Sequence, residues 1–126
     1  MMESLELSPA PNRGAVLTTA ALRAAERLGM SGRQLAEIVG VSEATISRWK
    51  RKEAALDVGS KPFQLAALFV RAFRSLDALA GGDEAVARRW ISTRNIALAA
   101  RPIERMTTVQ GLADVATYLD ARRAPI

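Results

Sequence analysis

Apolar side chains recur every three or four residues along most of this 126-residue chain, which predicts helices rather than strands. Residues 1–16 lack that periodicity and contain two prolines and a glycine, so we expect a flexible leader there. A first helix is predicted from about Thr18, with Thr18 or Thr19 as its cap, to Leu28, where a glycine follows.

Two short helices joined by a glycine turn are predicted next. Ser31 and Gln34 form a capping box that begins the first of them, and Gly40 supplies the left-handed residue that ends it. Ser42 is the expected cap of the second helix. The side chains expected to face inward are Leu35, Ile38, Val39, Ile46 and Trp49.

A break at residues 57–62 suggests a domain boundary at Ser60. The helix predicted from Pro62 to Ala80 is apolar over most of its circumference, so it should be buried on more than one side. One of those sides is expected to be a subunit or partner interface, which predicts at least a homodimer. Its narrow polar stripe consists of Gln64, Arg71, Arg74 and Ser75.

The rest of the chain predicts three further helical segments. Asp83 caps a helix to about Ile91, Pro102 begins a single turn, and a second capping box at Thr107 and Gln110 begins the last helix. The last helix should bury Val109, Leu112, Val115, Ala116 and Leu119. The predicted fold is therefore all-α, with a helix-turn-helix domain at 17–60 followed by a small helical domain at 61–126.

Composition narrows the function. The 18 basic and 13 acidic residues give a net charge of +5, which favours an anionic partner such as nucleic acid. The chain has no cysteine and no histidine, so it lacks the usual zinc ligands and the commonest general base. We expect no metal, no cofactor and no enzymatic activity. The acidic and proline-containing N-terminal stretch does not resemble a signal peptide, which makes the cytoplasm the expected location.

The string from Gln34 to Trp49 predicts the geometry that lays a recognition helix in the major groove of DNA. Arg48 suits guanine, whereas the basic run 50–52 suits phosphates, which give affinity without sequence information. The alternatives are that two packed helices occur without DNA binding, and that the basic run is only a solvated helix end. The candidate DNA-binding residues are Ser31, Ser42, Glu43, Ala44, Thr45, Ser47, Arg48, Lys50, Arg51 and Lys52.

The segment from Leu22 to Leu56 resembles the Xre/Cro family of phage-repressor-like DNA-binding domains. The resemblance rests on Leu35-Ala36, on Gly40-Val41-Ser42 and on the run Thr45 to Trp49. Downstream, a second pattern resembles the toxin-binding domain of Xre/MbcA/ParS antitoxins. That pattern consists of Trp90, Asn95, Leu98, Arg101-Pro102-Ile103, Thr107, Gly111, Val115 and Leu119.

This second resemblance implies a partner with a RES domain, an NAD-consuming toxin, and repression of a shared operon through double-stranded operator DNA. The toxin contacts expected from it are Arg101, Leu112, Val115, Leu119, Arg122, Arg123, Pro125 and Ile126. Because Pro125 resists helix continuation, we also expect the arginine pair and the apolar end to leave the last helix and dock at the toxin's substrate cleft. A frayed terminus is the alternative.

Two other functions compete with this interpretation. The chain could be a dimeric helix-turn-helix transcription regulator without a toxin partner, whose second half only dimerises. It could also be a ligand-sensing repressor, but the 62–80 helix lacks the convergent polar groups that a ligand pocket usually contains.

Overall fold

A computed structural model describes residues 12–123, and all the regular elements in this part of the chain are helices, as predicted. Apart from the helices, the described part of the chain contains one isolated antiparallel bridge between Asn95 and Ala100. The helices are α1 (Arg13–Arg27), α2 (Gly32–Val39), α3 (Glu43–Lys50), α4 (Lys61–Leu79), α5 (Glu84–Ser92), α6 (Pro102–Arg105) and α7 (Val109–Arg123).

Helix α1 begins earlier than predicted. The side chain of Asn12 caps it by accepting a hydrogen bond of 3.1 Å from the amide of Ala15. The expected flexible leader is therefore wrong for residues 13–16, while residues 1–11 lie outside the described range. Gly14 was misleading as a turn signal, because it serves packing: a Cβ there would overlap the carbonyl oxygen of Leu56.

Thr18 lies inside α1 and is not the predicted helix cap; its side chain connects α1 to the segment after α3. Its side chain is buried, and its hydroxyl donates to the carbonyl oxygen of Gly14 at 2.6 Å. The hydroxyl oxygen of Thr18 also accepts a 2.8 Å hydrogen bond from the backbone amide of Leu56. Thr18 therefore fixes the segment after α3 against α1, which sets where α3 lies relative to the rest of the molecule.

The two short helices form as predicted. Ser31 Oγ accepts from the amide of Gln34 at 3.1 Å, and Gln34 Oε1 accepts from the amide of Ser31 at 2.8 Å. Gly40 adopts a left-handed conformation with φ of 75°, which non-glycine residues rarely take. Ser42 caps α3 by accepting from the amide of Thr45 at 3.0 Å.

Helix α4 is the central helix and packs against α1, α2 and α7. The predicted burial on more than one side is confirmed, but the covering helices belong to the same chain. The buried residues of α4 are Leu65, Ala66, Phe69, Val70, Ala72, Ser75 and Leu76. The apolar circumference of α4 therefore no longer requires a second subunit. Ser75 is also inside the molecule rather than on a polar stripe.

Two details of the last helix differ from the prediction. Its first amides are satisfied by Thr108, whose hydroxyl accepts from Gly111 at 3.0 Å, and not by the predicted box at Thr107. Val109 is exposed, while Gly111 is buried where a Cβ would overlap the carbonyl oxygen of Arg105. Gly111 thus permits the close approach of α7 to the preceding turn.

The core continues across the expected boundary at Ser60. One buried cluster contains residues from α1 to α3 together with residues from α4, α5 and α7. Helix α4 contributes to both parts, so the division at residues 60 and 61 stays a prediction. No helix between residues 12 and 123 is long and apolar enough to cross a membrane.

Candidate functional site

Helix α3 presents one polar face to solvent. Its inner side is held by Ile46 and Trp49, which are 1% and 4% exposed, so Trp49 is a core residue as expected. Ser42, Glu43, Ala44, Ser47, Arg48 and Lys50 are exposed, and Thr45 is half-buried. The outward face therefore carries the candidate base-reading side chains on a helix fixed by its core.

A chain of hydrogen bonds orders three side chains on this face. Ser42 Oγ lies 2.9 Å from Thr45 Oγ1, which in turn accepts a 3.0 Å hydrogen bond from Arg48 Nη2. The guanidinium of Arg48 is thereby held along the helix, with its remaining donors available to a ligand. Of these residues, only Ser42 is also engaged with the backbone, as the cap of α3.

The residues of the basic run 50–52, at the end of α3, differ in their surroundings. Arg51 Nε donates to Glu53 Oε2 at 3.1 Å, so part of its charge is neutralised within the chain. Lys52 has a left-handed backbone, with φ of 60°. Lys50 and Lys52 line one open cavity of about 400 Å³ together with Ser31 and Arg23.

This cavity adds Arg23 to the candidate DNA contacts. Three cationic side chains and the N-terminus of α2 surround it, and helix-end amides favour anions. The cavity thus suits a backbone phosphate, although Glu26 also lines it. Sequence reasoning missed Arg23, because it lies on a different helix and only the fold brings it beside Lys50.

Three of the expected toxin contacts are corrected by burial. Leu112 and Val115 are 0% exposed and Leu119 is 2% exposed, because the apolar face of α7 packs against α4. These side chains hold the core and are not free to touch a partner. A pattern of apolar residues at helical spacing does not say whether the covering surface belongs to the same chain.

The remaining expected contacts differ in accessibility. Arg101, Arg122 and Arg123 are exposed, whereas Pro125 and Ile126 lie outside the described residues. The side chain of Arg101 lies 3.3 Å from that of Glu104, measured from Nε to Oε1. The hydrogen bond from Arg101 lowers the pKa of Glu104 below its ordinary value.

The guanidinium carbon of Arg122 lies 4.5 Å from the centre of the Tyr118 ring.

Asn95 holds the irregular segment between α5 and α6. Its side-chain Oδ1 accepts from the backbone amide of Leu98 at 3.1 Å, and its backbone amide donates to the carbonyl oxygen of Ala100 at 2.9 Å. Trp90 is half-buried and stacks on Tyr118, with ring centroids 6.1 Å apart.

Nowhere in residues 12–123 do three or more acidic side chains cluster as a metal site would require.

Comparison with protein families matches both parts of the chain. A model described as an antitoxin Xre-like helix-turn-helix domain matches residues 9–71, which is half of the chain. A second model, described as the antitoxin Xre/MbcA/ParS C-terminal toxin-binding domain, matches residues 75–124. Comparison with curated proteins gave no match.

Proposed function

This chain belongs to the Xre family of antitoxins, and from that premise we propose that it neutralises a RES-domain, NAD-consuming toxin and represses its own operon. The match establishes an antitoxin with a DNA-binding helix-turn-helix and a toxin-binding domain, two families that are generally non-enzymatic. The identity of the toxin, the operator and a homodimeric state belong to the proposal.

The observation that carries the DNA part is the ordered polar face of α3. Arg48 is exposed and oriented by its hydrogen bond to Thr45, which supports the proposal that it reads guanine in the major groove. Arg23, Lys50 and Lys52 converge beside the N-terminus of α2, which suits a phosphate. In this proposal, contacts to the DNA bases come from Arg48, and contacts to the DNA phosphates come from Arg23, Lys50 and Lys52.

The toxin part rests on the second family match, with the contacting side chains restricted to those that solvent reaches. Of the residues first expected to contact toxin, Arg101, Arg122 and Arg123 satisfy that condition. The C-terminal residues 124–126 follow directly after this arginine pair. Docking of this end at the toxin's substrate cleft is part of the proposal.

Co-expression with the product of the neighbouring gene tests the proposed function. A tagged chain should capture that protein, protect cells from it and bind duplex DNA from upstream of its own gene. A chain that binds the duplex but captures no toxin would instead be a helix-turn-helix regulator without a toxin partner. Binding of neither DNA nor toxin would refute both parts.

A deletion of residues 124–126 tests the role of the end of the chain. If docking at the cleft blocks the toxin, the truncated chain should still capture toxin and bind DNA but should no longer stop NAD consumption. Full inhibition by the truncated chain would show that residues 124–126 are not needed, and docking of this apolar end at the cleft would be refuted. Deleting only these three residues leaves Arg122 and Arg123 in place for comparison.

A further inference from the structure

Ile96 is the most exposed large apolar side chain described in this protein, with 95% of its surface accessible. It stands at the tip of the segment between α5 and α6. Leu98 is buried on the same segment, and the bridge from Asn95 to Ala100 closes its base. The amide of Ala99 also donates to the carbonyl oxygen of Ile96 at 3.2 Å. The turn is therefore braced, and it holds an apolar side chain out into water.

An aromatic pair lies beside this turn. The rings of Trp90 and Tyr118 are stacked at 6.1 Å with planes 21° apart. Asn95 Nδ2 donates to the hydroxyl oxygen of Tyr118 at 3.5 Å, which ties the turn to α7. The guanidinium of Arg122 also lies over the Tyr118 ring. We call Trp90, Ile96, Ala97, Tyr118 and Arg122 the turn patch.

A shallow cavity adjoins the turn patch. It has a volume of about 330 Å³, and Ala97, Thr117 and Tyr118 line it together with the paired side chains of Arg105 and Asp114. The turn patch thus combines an exposed apolar side chain, Ile96, with a cavity that is lined by Ala97 and Tyr118. Trp, Tyr and Arg around an apolar side chain are the residue types that dominate binding energy at protein interfaces.

The charges around the turn patch indicate what covers it. Arg122 belongs to the patch, and Arg89 and Arg94 are exposed on the elements that carry Trp90 and Ile96. In a two-fold contact between identical chains, the same positive side chains would lie on both sides of the interface and repel. The two nearby acids, Glu104 and Asp114, are already paired with Arg101 and Arg105. A different protein with an apolar socket and an acidic rim fits better than a second copy.

We propose that the turn patch is the main docking surface for the toxin, with Ile96 inserted into an apolar socket on it. This inference rests on the proposed function and refines it. The turn patch lies within residues 75–124, which match the toxin-binding family model. The apolar face of α7, which was expected to bind toxin, is closed against α4, whereas Ile96 is fully available.

Substitution of Ile96 by aspartate tests the proposal. Ile96→Asp should weaken capture of the co-expressed RES-domain toxin by at least about thirtyfold, because a charge would enter an apolar socket. Arg122→Glu should also weaken capture, through repulsion by the acidic rim. Binding of the upstream duplex and the thermal unfolding midpoint should stay at their wild-type values for Ile96→Asp, because this side chain makes almost no contact within the chain.

Val109→Asp provides the matched control. Val109 is 52% exposed at the opposite end of α7, about 13 Å along the helix from Tyr118. It should leave toxin capture unchanged. The proposal is overturned if Ile96→Asp captures toxin like the wild type, or if Val109→Asp loses capture to the same degree. It is also overturned if Ile96→Asp only dissociates a homodimer. Failure of the wild-type chain to capture toxin would instead refute the proposed function and remove the partner of this surface.

Discussion

Arg48 and Lys50 lie on the same helix, but their surroundings suit them to different contacts with DNA. Thr45 orients the planar guanidinium of Arg48 on the outward face, whereas Lys50 ends the helix beside the α2 cap. A planar fork can pair with two acceptors on guanine, while an ammonium acts as a point charge on phosphate. Sequence discrimination should therefore depend on Arg48.

Arg48→Ala should lose about 1–3 kcal/mol of discrimination between the specific duplex and a scrambled one. Lys50→Ala should weaken binding to both duplexes alike and reduce the salt dependence by about one unit. Titrations at several salt concentrations measure both effects. Equal weakening of both duplexes by Arg48→Ala would identify it as a phosphate contact and contradict the assignment.

Asp120 connects α7 to α4. Its Oδ1 accepts a 2.6 Å hydrogen bond from the buried hydroxyl of Ser75, and its Oδ2 pairs with Arg71. The hydrogen bond from Ser75, together with Arg71, lowers the pKa of Asp120 below its ordinary value of 3.8. A carboxylate whose pKa is lower in the folded state than in the unfolded state stabilises the fold at a pH above the unfolded-state value. That stabilisation is lost as the pH falls through the folded-state pKa.

Asp120→Asn should therefore reduce the free energy of unfolding by about 1–2 kcal/mol at neutral pH. The difference from the wild type should shrink as the pH falls below the ordinary pKa of 3.8 and through the lower pKa of the folded state, where Asp120 becomes protonated. Urea unfolding at pH 7 and pH 3 measures this. Glu53→Gln removes an exposed pair and should cost less than about 1 kcal/mol. A loss for Asp120→Asn that did not change with pH would contradict the role of its charge.

At the scale of the helices, small residues decide how closely elements approach. Gly111→Ala should destabilise the protein by about 1–3 kcal/mol, because the new methyl group would overlap the carbonyl oxygen of Arg105. Gly59→Ala is the matched control, since nothing lies within 4 Å of a Cβ there, and it should change stability by less than about 0.5 kcal/mol. Thermal unfolding of both variants tests this, and equal midpoints would show that α7 does not need the glycine.

Local sequence signals were sufficient to predict most helix ends, but they could not predict which surface packs against each helix. Ser31, Ser42 and Asp83 cap helices as predicted, because a cap depends on residues three positions apart. The choice of Thr108 over Thr107 depends on the turn before α7, which short-range patterns do not specify. The burial of Leu112 by α4 depends on contacts across the fold, so its assignment to a partner was wrong.

At the scale of the whole molecule, the same limit applies to the oligomeric state. The apolar surface of α4 predicted a dimer, but other helices of the same chain cover that surface. The candidate DNA surface was largely predictable, since α3 is a single element with one outward face. Arg23 and the turn patch were not, because they are assembled from residues that are distant in sequence.

The proposed dimer therefore needs a test on DNA. Two chains on a palindromic operator should place their recognition helices about one helical turn apart, at half-sites roughly 10 base pairs from centre to centre. The chain should bind a duplex with two half-sites cooperatively and one with a single half-site more weakly. Equal affinity per half-site on both duplexes would show that the chains act independently. Sedimentation of each complex gives the number of chains bound.

This chain is an antitoxin, and we propose that its toxin and DNA surfaces are separate. The most direct test is to titrate the purified toxin of the proposed RES-domain class with the chain while following NAD consumption. Consumption should fall to the background rate at a fixed stoichiometric ratio, and Arg48→Ala should inhibit as well as the wild type. Unchanged NAD consumption at roughly a tenfold molar excess of the chain, where a tight complex would be saturated, would contradict the proposal.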